Sequence, residues 1–99
     1  MVSETNDQGG AAYFKKIQRN FISGLPQRLR EIQHAVDDQS RYVALHRLAG
    51  AAGGYGFPHL GDMAIDAMRA MQPGSTTAID ESLAQLAISI EAVIRSEKT

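Results

Sequence analysis

From Phe14 onward, apolar residues recur along the chain at helical spacing. Phe14, Ile17, Phe21, Leu25, Leu29, Ile32 and Val36 follow one another at intervals of 3, 4, 4, 4, 3 and 4, which is one continuous face of a helix. Gly24 and Pro26 interrupt this stretch, and Pro26 removes a backbone donor while crowding the carbonyl of Ile22. The stripe keeps its phase across the proline, so the pattern predicts one kinked helix. Asp37, Asp38, Gln39 and Ser40 supply a turn and an N-cap. A second helix is predicted from near Arg41 to about Tyr55, with Tyr42, Leu45, Leu48, Ala49 and Ala52 as its core side. Pro58 marks the first position of a third, which repeats Leu60, Met63, Ala64, Ala67, Met68 and Met71 and stops at Gln72-Pro73-Gly74. Ser75, Thr76 and Thr77 offer caps for a fourth, whose core face is Ile79, Leu83, Leu86, Ile90 and Val93; Asp80 and Glu81 sit near the positive end of its dipole.

No stretch alternates in the manner of a half-buried strand. The pattern therefore predicts an all-α fold: an antiparallel up-down four-helix bundle with a Pro-kinked first helix, occupying residues 11–99 as a single domain. Residues 1–10 have no period, end in Gly9-Gly10, and are expected to form a flexible lead-in. A chain of 99 residues is too short for two self-supporting cores.

Charge and composition narrow the chemistry. The formal net charge of −1 offers no one-sided positive field for a phosphate backbone, so nucleic acid is not an expected partner. Nor is a membrane, because no apolar run approaches bilayer length; no signal-peptide pattern opens the chain, and a cytoplasmic location is expected. The absence of cysteine excludes disulfides, Cys-ligated zinc and thiol catalysis, while His34, His46 and His59 are too widely spaced for a short metal-ligand pair. No serine stands in a nucleophile-elbow context, and no strand or Gly-Lys-Ser/Thr accompanies the glycines. Asp62 and Asp66 read as a solvated face, and Asp66 with Arg69 as a weak surface pair. Lys15, Lys16, Arg19, Arg28 and Arg30 make the first helix basic, against acidic later helices.

One segment departs from ordinary bundle sequence. Gly50, Gly53, Gly54 and Gly56 fall within seven residues, and each glycine inside a helix costs about 1 kcal/mol relative to alanine. With Leu45 taken as the centre of the buried face, His46 lies about 100° around the helix, among Gly50, Gly53 and Gly54. The spacing predicts an imidazole standing on a smooth helical wall that another protein can approach closely. His34 and His59 have no such surroundings.

His46, Leu48, Gly50, Gly56 and Leu60 resemble the signature of histidine-containing phosphotransfer (HPt) domains: His, then Leu two on, Lys three on, Gly four on, Gly ten on and Leu fourteen on. The resemblance covers about residues 11–95. It implies a phosphocarrier, not an enzyme with its own ATP site, in which His46 accepts a phosphoryl group from a receiver-domain aspartyl phosphate and passes it to another receiver. Gly50, Gly53, Arg47 and Arg69 are then the expected docking and phosphoryl environment. The implied partners are response-regulator receiver domains, a hybrid sensor kinase among them, with a monomer as the working state and no cofactor or resident metal. Mg²⁺ and most transition-state stabilisation would come from the receiver.

Ala49 occupies the position of the family's lysine, so the usual cation one turn from the histidine is missing. Arg47 points about 100° away from His46 and does not replace it. In a hairpin turning near Phe57, Met68 and Arg69 fall level with His46, which makes Arg69 the expected substitute. Two other readings stand beside the phosphocarrier. One is a receiver-docking module of the same fold that carries no phosphate, favoured by Ala49. The other is a plain helical interaction or dimerisation bundle, with Met63, Met68 and Met71 as an adaptable surface.

Overall fold

The computed structural model describes the backbone of residues 2–98 and the side chains of residues 10–97. The fold is all-helical, with no strand among the described residues: α1 Val2–Ser23, α2 Leu25–Gln33, α3 Asp38–Gly54, α4 Pro58–Ala70 and α5 Ile79–Lys98. The neighbours form a ring, in which α3 packs on α2 and α4, α4 on α5, and α5 on both α1 and α2.

α1 begins at Val2 and runs through the residues expected as a flexible lead-in, up to Gly10 and beyond; Met1 lies outside the described residues. Periodicity signals a buried face, and a helix that propagates from an existing nucleus needs none. The expected first helix is divided at Gly24, a single residue with φ −88° and ψ −8° between α1 and α2. The Gly24 N–H still donates to Asn20 O at 3.3 Å and Phe21 O at 3.1 Å, and its carbonyl accepts from Arg28 N at 3.1 Å. Pro26 sits in the first turn of α2, where a missing N–H costs least.

Leu25, Ile32, Leu45, Leu48, Leu60, Leu86 and Ile90 form the fully buried centre, with Ala52, Ala64 and Ala67 between them. Met63, Met68 and Met71 pack against this core as half-buried residues, so the methionine row is not an open surface. Three expected core residues are exposed: Phe14 at 40%, Tyr42 at 38% and Val36 at 91%. Val36 lies past the end of α2, in the connection to α3. Phe14 lies against the α3–α4 turn, its ring 3.6 Å from where a Cβ on Gly56 would stand. Ile22, outside the sequence stripe, is buried at 8%.

Capping accounts for the start of α3, three residues earlier than expected. Asp37 is the N-cap, and its Oδ1 accepts from the Ser40 backbone N–H at 2.7 Å. Arg41, half-buried, donates from Nε to Ile32 O at 2.9 Å and from a terminal guanidinium nitrogen to Gln33 O at 3.4 Å, satisfying the last carbonyls of α2. Pro58 opens α4 as expected. The Ser75–Thr77 segment instead stays in the loop: Ser75 Oγ accepts from Thr77 N at 3.2 Å, and the first α5 bond runs from Ser82 N to Ala78 O.

The backbone and hydroxyl of Ser40 donate to Asp37 and hold its carboxyl below the usual carboxylate value. A depressed folded-state pKa stabilises the fold fully above the unfolded value and ceases to do so as pH falls through the folded one. Asp37→Ala should therefore lower the melting temperature at pH 7, whereas Asp37→Asn, which keeps an acceptor oxygen, should lower it less. The gap between wild type and Asp37→Asn should close as pH falls through the folded pKa of Asp37, as followed by thermal melts from pH 7 to pH 3.

Candidate functional site

The α3–α4 hairpin positions His46. Its turn requires Gly56, whose φ of +86° is a left-handed conformation and whose added Cβ would lie 2.9 Å from Gln18 Nε2. Gln18 Nε2 donates to Tyr55 O at 2.9 Å, tying α1 to this turn. Below it Phe21 stacks on Tyr55 and Phe57, with ring centroids 5.1 and 5.7 Å away, and the Arg28 guanidinium lies 5.6 Å from the Phe21 ring centre.

Where α3 meets α4 the backbones come close. A Cβ on Gly61 would stand 3.3 Å from Ala49 O and 3.8 Å from Gly53 N, so glycine sets the spacing of the two helices. Ala49 is half-buried at this crossing and Gly61 is buried. Moving back along α3 and on along α4 from the crossing brings residues 64–68 level with His46, a range that includes the expected Met68 and stops short of Arg69.

His46 is exposed. The buried face of α3, made by Leu45, Leu48 and Ala52, is centred about 30° further from His46 than a face centred on Leu45 alone. That rotation turns His46 further towards solvent and also lifts Tyr42 out of the core, which corrects its expected burial. Gly50, Gly53 and Gly54 are exposed, and a Cβ at any of them would meet nothing within 4 Å. The glycines beside His46 are therefore not demanded by packing inside the chain.

The two arginines expected near the site are placed differently from it. Arg47, exposed, lines a cavity of about 530 Å³ between α2 and α3 with His34, Ser40 and Val43. The Arg69 guanidinium pairs with Asp66 at 3.8 Å, in the exposed geometry expected of a weak surface pair, and lines a cavity of about 290 Å³ between α4 and α5 near Glu81. In this conformer Arg69 is turned to Asp66. Tyr42 and Ile65, each 38% exposed, add apolar surface to α3 and α4. Sequence reasoning passed over two of the residues that shape the site: Gly61, whose helix-interior cost was the available signal, and Tyr42, assigned to the core.

Among the described residues no group of three or more His, Asp or Glu could hold a metal ion, and no helix is long and apolar enough to cross a membrane. Comparison with family models, with curated proteins and with solved structures finds no match to this chain.

Proposed function

We propose that this chain is a phosphocarrier of the HPt type, with His46 as the phosphoacceptor. The observation that carries the reading is an exposed imidazole beside three glycines that leave open space where side chains would stand. A neutral imidazole is a competent nucleophile near neutral pH. Its unprotonated nitrogen forms a bond to phosphorus as the P–O bond of a receiver's aspartyl phosphate breaks. The aspartate leaves as carboxylate, and the other ring nitrogen keeps its proton. The return step onto a second receiver is the reverse exchange. Gly50 and Gly53 let the receiver backbone approach to in-line distance.

The reading takes the bundle as antiparallel and up-down, with α1 and α2 serving as one helix kinked by Pro26. The ring of helix neighbours and the short connections support that arrangement. Ala49, half-buried where a family member carries lysine, favours the second reading, a receiver-docking module that carries no phosphate.

Incubating the purified chain with a receiver domain charged by a small phosphodonor tests the proposal. Acid-labile, alkali-stable label on the chain is the expected result. Receiver binding without label would overturn the phosphocarrier in favour of the docking module.

A further inference from the structure

Resting on the phosphocarrier reading, we infer that the Tyr42 hydroxyl is the hydrogen-bond donor to the phosphoryl group on His46, a neutral group serving where the family's cation is missing. Tyr42 and His46 lie four residues apart on α3, one turn along the axis and about 40° around it, so their side chains are neighbours on one flank. Both side chains lean towards the helix N-terminus, so the one-turn offset between them is kept, with a phosphoryl group on the imidazole between the two. The axial offset of about 6 Å is roughly what a P–N bond, a P–O bond and one hydrogen bond together cover.

Elimination on the same flank leaves few donors. Ala49, Gly50 and Gly53 have no side-chain donor, and Val43, one turn from His46, has none either. Gln39 and Arg47 line the cavity towards α2, and Arg69 pairs with Asp66. The Tyr42 hydroxyl makes no hydrogen bond to any described residue, and the side chain is 38% exposed, more than its place in the sequence pattern calls for. A polar group left uncommitted beside the nucleophile is available to a phosphoryl oxygen.

A donor on the dianion favours it over the monoanion and lowers the second ionisation of the phosphoryl group. Loading the protein with phosphoramidate, which gives up its phosphoryl to the imidazole and releases ammonia, allows that ionisation to be followed by ³¹P NMR against pH. Tyr42→Phe keeps the ring and should raise it by about half a pH unit. Val43→Ala, a change of similar exposure without a donor, should leave it in place. Equal values in wild type and Tyr42→Phe, or an equal rise in Val43→Ala, would overturn the inference while leaving the carrier intact. Failure of both phosphoramidate and a charged receiver to label the wild type would overturn the carrier and the inference together.

Discussion

Replacing His46 by glutamine should remove all acid-labile label from the chain while the fold survives. Glutamine keeps polarity and comparable bulk on an exposed helical flank but has no nucleophilic ring nitrogen. A surface change of this kind shifts stability by no more than about 0.5 kcal/mol. Circular dichroism and a thermal melt check the fold, and the receiver assay checks the label. Label persisting in His46→Gln, or lost only with His34 or His59, would remove His46 from the mechanism. Both alternatives are exposed histidines, His34 at the end of α2 and His59 in the first turn of α4.

The second large effect separates two glycines that look alike in sequence. Gly50 and Gly61 both interrupt helices, but a Cβ on Gly50 meets nothing within 4 Å, while one on Gly61 stands 3.3 Å from Ala49 O. Gly50→Ala should raise stability by up to about 1 kcal/mol through helix propensity alone. Gly50→Leu should fold as well, yet slow phosphotransfer, because its side chain would stand between His46 and an approaching receiver. Gly61→Leu should destabilise by about 1–3 kcal/mol or more by forcing α3 and α4 apart. Melting temperature and transfer rate should therefore move in opposite directions at Gly50 and fall together at Gly61. A Gly50→Leu protein that transfers at the wild-type rate would show that the partner does not come in over this wall. A Gly61→Leu protein as stable as wild type would show that the helices can separate freely.

The helices were legible because local rules agreed. Asp37 as a cap, Pro58 in the first turn and Asp80 with Glu81 opening α5 are each decided within four residues of sequence, and the structure has all three. The buried stripe of α5 was equally plain, and its central residues Leu86 and Ile90 are fully buried. What escaped depends on contacts between distant segments. Tyr42 lies near the boundary of the α3 stripe, and about 30° of rotation, set by how Leu48 and Ala52 meet the other helices, decides its exposure. Gly61 reveals its purpose only when α3 lies against it. The open wall at Gly50, Gly53 and Gly54 was legible for a simple reason: glycines that weaken a helix call for an explanation, and none is found inside the chain.

The hydrogen bond from Gln18 to Tyr55 O spans 37 residues of sequence. It fastens the end of a helix that, with three glycines in its last five positions, has little order of its own to contribute. The end of α3 is therefore also tied from outside, by this hydrogen bond from the first helix and by the stacking of Phe21 on Tyr55 and Phe57. Loosening of α1 would release this tie and would also withdraw Phe21 and Ile22 from the core they share with Leu45 and Leu48. The end of the helix that carries His46 is thus anchored by a segment remote from it in the chain.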